Sequence, residues 1–334
     1  MAKFLITGAN GFIGLHLAEF LAARGHQVRA LVRRAPPEEL TALGAEIVTG
    51  DLNNQVALEQ ATAGVDYVIH LAGLVAAPKK EDLTAANETG TRNIARAAAG
   101  QTKPPVFVYV SSIAAGGPAR AGEIRTEDEP AAPVSDYGRS KQAGEAAAVQ
   151  FADRMPLTIV RPGIVFGPRN RAILPILKTI QWVRFHPAPT LRSPPLSFIH
   201  VDDLNEIILR AAERGARIDP KQGATGPGVY YAVAPEYLDY SQWGKTLRMF
   251  IRRPFAPTIP LPYISLVAAA VNEQLARLRG AVDQFNLDKI REASAPSWAC
   301  SPERVRRELD FTPPRTLNER FAELVDWYRR EGWV

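Results

Sequence analysis

The chain holds a single cysteine, Cys300, so no disulfide can form within it and no structural zinc site of several cysteines can be built. Histidine is nearly as scarce. His16, His26, His70, His186 and His200 stand far apart without metal-ligand spacing, and no metal is expected. No apolar run approaches the roughly 18–20 residues that a membrane span needs. The longest candidate, Ile259–Val271, is shorter and contains Pro260 and Pro262. Charge of one sign is not concentrated either. Lys and Arg exceed Asp and Glu by 40 − 35 = 5 with no basic tract, which argues against nucleic acid as a partner but suits a phosphate-bearing ligand. The opening MAKFLITGAN reads as a strand rather than a signal peptide, so a cytoplasmic protein is expected.

What is present is a strict alternation through the first half. Short β-rich runs at Lys3–Thr7, Gln27–Val32, Glu46–Val48, Tyr67–Leu71, Val106–Ser112 and Leu157–Arg161 are separated by helical stretches. Five-residue apolar strands between helices predict an α/β fold, a doubly wound parallel sheet of the Rossmann kind covered on both faces. Residues 1–165 are read as the dinucleotide-binding domain. Residues 166–334, where prolines crowd, are read as a smaller, mostly helical substrate lobe, with the strand and helix at about 196–214 returning to the first domain.

Between the first strand and the first helix lies Thr7-Gly8-Ala9-Asn10-Gly11-Phe12-Ile13-Gly14. Glycines there let the backbone approach a pyrophosphate, whose charge meets the free N–H groups of the helix N-terminus. Gly8, Asn10, Gly11, Phe12, Ile13 and Gly14 are therefore candidate cofactor contacts. At the end of the second strand, where an acid would bind the ribose of NAD, the sequence has Arg33 and Arg34. Two guanidinium groups at that point suit a 2′-phosphate, so NADP(H) is preferred, with NAD(H) kept open. Asp51 and Leu52 after the third strand, and Leu71, Ala72 and Gly73 after the fourth, are further candidate contacts.

Tyr137 and Lys141 stand four residues apart at the start of a helix that Ser135 or Asp136 can cap. A phenol titrates near 10 in water, and a neighbouring ammonium group would lower that value toward working pH, fitting the pair for proton transfer at a carbinol oxygen. Ser111 and Ser112 close the fifth strand, at the sheet edge where ligands bind.

The conjunction TGANGFIG, GDL, HLAG, NETGTRNI, YVSSIAAGG, YGRSK, RPGIVFGPR and FIHVDDL, over about residues 1–210, resembles the extended short-chain dehydrogenases/reductases. The resemblance implies Ser112, Tyr137 and Lys141 as a catalytic triad, Ser112 rather than Ser111 by its spacing to Gly117. It also implies Lys141 on the nicotinamide ribose, Pro162 and Ile164 along the nicotinamide, and Asn87 near the cofactor. Asp202 or Asp203 is expected to cap a helix, and a homodimer to form through helices around 82–100 and 136–153. Phe166 stands where the family more often has tyrosine. Dehydratases of the family carry an acidic pair just after the serine; here the stretch is Ile113-Ala114-Ala115-Gly116.

Within the family, the arginine pair and the apolar Pro260–Val271 resemble the 3β-hydroxysteroid dehydrogenase and dihydroflavonol reductase branch. That segment could line an apolar pocket, touch a membrane surface peripherally, or be an ordinary packed helix. The resulting expectation is an NADP(H)-dependent enzyme interconverting a bulky apolar alcohol and ketone. An NAD-dependent sugar-nucleotide epimerase is the first alternative, and a non-catalytic NADP-binding regulator the second.

Overall fold

The computed structural model describes residues 1–77, 79–191, 193–252, 255–279 and 285–334. Six of its strands lie where the sequence pattern places them: β1 (Lys3–Thr7), β2 (Gln27–Val32), β3 (Glu46–Thr49), β4 (Tyr67–His70), β5 (Val106–Val110) and β6 (Leu157–Pro162). After β7 (Ile164–Phe166), β8 (His186–Ala188) and β9 (Leu196–His200) comes β10 (Val229–Ala232), and then β11 (Tyr237–Leu238) and β12 (Thr258–Pro260). The main sheet has seven parallel strands in the order β10-β6-β5-β4-β1-β2-β3. Strand order reverses between β1 and β4, which opens a crevice at their carboxyl ends.

The helices of this half are α1 (Phe12–Ala23), α2 (Glu38–Ala42), α3 (Gln55–Thr62), α4 (Lys80–Thr84), α5 (Gly90–Ala99), α6 (Ile113–Gly116) and α7 (Asp136–Val149). A π-helical turn, Ala85–Thr89, joins α4 to α5. Later come α8 (Leu174–Lys178), α9 (Val201–Arg214), α10 (Tyr240–Phe250), α11 (Pro262–Arg279), α12 (Leu287–Ala293), α13 (Glu303–Glu308) and α14 (Leu317–Arg330). One face of the sheet buries Leu17 and Leu21 of α1 with Ile207 and Ile208 of α9. The other buries Ile94 and Ala98 of α5 with Ala148 of α7. Apolar strands covered on both sides are what this arrangement requires.

The C-terminal lobe has its own core. Phe166, the departure from tyrosine, is buried and stacks on Phe321 of α14 with ring centroids 4.1 Å apart, beside Phe198 and Trp243. A ring that only packs loses nothing by lacking a hydroxyl. Three sequence readings change here. Beyond residue 166 there are several strands where one was expected, and β10 joins the main sheet beside β6. The cap of α9 is His200, whose Nδ1 accepts from the Asp202 N–H at 3.3 Å, not Asp202 or Asp203. Asp203 instead takes a two-pronged contact from Arg320 of α14, which ties the lobe to α9. Among the described residues no helix is long and apolar enough to cross a membrane.

Candidate active site

The glycine turn is built as a cradle. Gly8 has φ +74°, and a Cβ there would lie 2.9 Å from the Ala72 nitrogen. At Gly14 a Cβ would sit 2.2 Å from the Gly8 carbonyl oxygen, so α1 can start hard against β1 only with glycine. No side chain caps α1. Its first-turn N–H groups and the positive end of its dipole therefore face the crevice, which is what a pyrophosphate needs.

A chain of hydrogen bonds fixes the neighbouring corner. The Thr91 hydroxyl donates to the Asn87 carbonyl at 2.7 Å, so it can only accept from His70 Nε2–H at 3.0 Å. His70 Nδ1 must then accept from the Thr7 hydroxyl at 2.6 Å, leaving that oxygen to accept the Ala72 N–H. Burial holds His70 neutral, its pKa lowered to about 3. Asn87 is spent as a clamp. It holds both Leu74 backbone groups at 2.8 Å and donates to Ser140.

Ser112 ends the loop after β5, caps α6 through Ala114 N–H, and faces the start of α7. Of the two cap candidates, Ser135 caps α7, accepting from Gly138 N–H at 2.9 Å, and Asp136 is its first residue. Tyr137 is half-buried. Its phenol is pushed up to about 12 by burial, with the Ser112 side chain acting against that and the charge of Glu292 adding to it. Lys141 is buried and its Nζ donates to the Val110 carbonyl at 2.9 Å, over the Tyr109 ring. Burial lowers Lys141 to about 7, while Glu145 pulls the other way. The simple expectation that a lysine depresses the tyrosine is thus not met: enclosure outweighs charge at both groups.

This has a consequence for stability. The unfolded chain holds the Lys141 proton up to its ordinary value near 10.5, whereas the folded chain releases it near 7. Between those values the unfolded state binds more protons, so stability rises with pH, and below about 7 the full burial cost stands. Lys141→Met is expected to stabilise the protein at pH 6 by a few kcal/mol, on the order of what burying an ammonium costs after its hydrogen bond is counted. Denaturant unfolding at pH 6 and pH 9.5 checks it: the gain should shrink at the higher pH.

The part played by α12 is not legible in the sequence. Asp288 accepts from the Asp136 and Tyr137 N–H groups at 2.7 and 3.0 Å, Glu292 accepts from the Ser135 hydroxyl at 2.6 Å, and Lys289 Nζ lies 4.7 Å from the centre of the Tyr137 ring. A helix from the C-terminal lobe thereby straps the first turn of α7. Only an unfavourable end of sequence separation hides it: nothing local marks an acid at residue 288 as the partner of residues 136 and 137.

All of this opens on one cavity of about 1230 Å³. Gly8, Asn10, Gly11, Phe12, Ile13, Gly14, Leu71, Gly73, Asn87, Ser112, Tyr137, Lys141, Pro162 and Ile164 line it. Arg33, Arg34, Asp51, Leu52 and Ala72 do not, and the Asp51 carboxylate is engaged with Asn53 N–H at 2.8 Å. Arg169, Arg171, Lys289, Glu292 and Trp298 are lining residues that the sequence did not single out. Among the described residues no group of three or more His, Cys, Asp or Glu could hold a metal ion.

The model of the NAD dependent epimerase/dehydratase family matches residues 4–224. A ceramide reductase of Caulobacter vibrioides is 31% identical over 98% of this chain and 95% of its own length. Among solved structures, MoeE5 in complex with UDP-glucuronic acid and NAD is 22% identical with TM-score 0.76, covering 98% of this chain and 99% of that one. UDP-glucuronic acid 4-epimerase from Bacillus cereus, in complex with UDP-glucuronic acid and NAD, is 19% identical with TM-score 0.75 at the same coverage.

These structures correct two expectations. They hold NAD and UDP-sugars, against the preference for NADP(H) and against the apolar alcohol–ketone reductase. The physical reasons are visible in this chain. Arg33 and Arg34 are exposed just past β2 and are not among the residues that line the cavity. Within Pro260–Val271, only Ser265 lines the cavity, and the large apolar side chains of that segment face outward. With the glycine cradle, the Ser112, Tyr137 and Lys141 cluster and the family match in place, the chain belongs to the NAD dependent epimerase/dehydratase family and is a nicotinamide-dinucleotide-binding oxidoreductase.

Proposed function

We propose that the chain is an NAD-dependent epimerase of a sugar nucleotide. The observation that carries this reading is the single cavity running from the glycine cradle past Ser112, Tyr137 and Lys141 into the C-terminal lobe. At about 1230 Å³ it exceeds the space of one ordinary small-molecule site and suits a dinucleotide and a nucleotide sugar together. Arg169, Arg171 and Lys289 line it, and guanidinium and ammonium groups are the partners that a diphosphate takes.

When bound, the nicotinamide supplies a hydride acceptor and donor. The chain's residues do the rest. Tyr137, as the phenolate, would take the proton of the sugar hydroxyl and later return it, Ser112 would hydrogen-bond the reacting oxygen, and Lys141 would hold the cofactor ribose and supply the charge that favours the phenolate. Removal and return are balanced, so no cofactor is consumed. Residues 1–165 with α9 and β10 would hold the dinucleotide, and the rest of the C-terminal half would choose the sugar.

Purified protein carrying NAD, incubated with UDP-glucose, UDP-glucuronic acid and dTDP-glucose, is expected to form an epimer detectable by proton NMR without added reductant. No epimer from any of them, together with NADPH-driven reduction of long-chain ketones, would return the chain to net reduction.

A further inference from the structure

Two stretches of the C-terminal half contain no acid. Residues 169–201 and 240–272 lack Asp and Glu altogether while carrying five and four Lys or Arg. At the chain's overall frequency about seven acids would be expected in them, so the bias is strong. Topology brings the two stretches together. Strands β8 and β12 pair in parallel, with His186 opposite Thr258 and Ala188 opposite Pro260, and Leu261 N–H donates to the Ala188 carbonyl at 2.9 Å. Residues just before β8 and just before β12 therefore share one end of this ribbon, and α11 leaves from the other.

Exposed apolar side chains flank this ribbon at both ends, and exposed basic ones lie in the same two stretches. Trp182 is 77% exposed before β8, Phe255 77% before β12, and Tyr263 80% at the start of α11. Ile264, Val267 and Val271 continue along α11 at helical spacing, exposed, while Ser265 and Ala269 turn inward. Lys178, Arg184, Lys245 and Arg252 are exposed in the same stretches and form no ion pair among the described residues. Large apolar side chains exposed in such number are costly in water unless something covers them.

We infer that this face of the C-terminal lobe docks on an anionic membrane surface. Charge decides the occupant. A second copy would set one uncompensated basic face against another, and a nucleic acid would use the cations but leave the indole and aliphatic groups wet. An anionic bilayer takes both: aromatic and aliphatic side chains enter the headgroup boundary, and Lys and Arg meet the negative surface potential. The inner side of the same elements, through Thr179, Pro187, Pro189 and Ser265, walls the cavity. Docking therefore holds the substrate chamber against the bilayer.

Flotation of the full chain with vesicles tests this. Binding is expected to vesicles with about 30% phosphatidylglycerol in phosphatidylcholine, weakening as salt is raised, and not to phosphatidylcholine alone. Arg184→Glu with Arg252→Glu, and separately Trp182→Ser with Ile264→Ser, should each cut the bound fraction about tenfold while NAD binding and the thermal transition persist. Absence of wild-type binding, or binding unchanged in both folded double variants, would overturn the inference. So would a wild-type dimer that Trp182→Ser with Ile264→Ser dissociates in solution without any vesicle binding, since the face would then belong to a second copy.

Discussion

Replacing Tyr137 with phenylalanine is expected to lower turnover by about 10²–10⁴-fold or more while NAD affinity stays within about twofold. The ring remains, and with it the packing beneath Lys289 on the first turn of α7. What goes is the one proton-carrying oxygen beside Ser112. Burial pushes that phenol to about 12, so it keeps its proton in the ligand-free protein and serves as a base only once a nearby cation favours the phenolate. A phenyl group offers no substitute at any pH, and the loss should be flat across pH 6 to 9. Titration of NAD by tryptophan fluorescence, run beside the NMR assay, separates binding from chemistry. Turnover retained in Tyr137→Phe would move the proton transfer to another group.

The second large effect is on stability. Arg161 is 0% exposed and Glu145 1%, and they meet in a two-pronged contact of 2.8 and 2.7 Å, with Arg161 also donating to the Ala224 carbonyl at 3.0 Å. Arg161→Met strands a buried carboxylate and is expected to cost about 3–5 kcal/mol in denaturant unfolding. Removing both charges, Arg161→Met with Glu145→Leu, should recover most of that, because the desolvation penalty of the pair disappears with its attraction. The same cycle reads on the site: Glu145 holds the Lys141 pKa up, so its loss should lower it further.

Much of the fold was legible because its determinants are local. Each of β1 to β6 is an apolar run bounded by breakers, and the glycine turn stands at the one place where it is informative. That Ser112, Tyr137 and Lys141 line one cavity was legible for a similar reason, a strand end and an i, i+4 pair on one helix turn. Strand β10 was not. VYYA lies behind Gly226-Pro227-Gly228 in a proline-rich half, and only its pairing with β6 makes it part of the sheet. His200 is the cap because α9 begins at Val201, earlier than an aspartate cap would need, and Arg320, far along the chain, contacts both carboxylates. Arg33 and Arg34 misled for the opposite reason. Residue type and spacing suit a phosphate, but both side chains are exposed and outside the cavity lining, which residue type and spacing do not reveal.

The strap formed by α12 bears on how such a chain could be recombined. The matched family region ends at residue 224, yet the first turn of α7 is held by Asp288 and Glu292. A graft that kept the nucleotide-binding body and exchanged the lobe for another would carry every recognisable motif across and still leave two amide groups and a serine hydroxyl without their anionic partners. The lobe is free to diverge around its substrate only if it keeps an acid at each of those two points, so a specificity-swapping chimaera of this protein must import them or begin with its tyrosine loosely held.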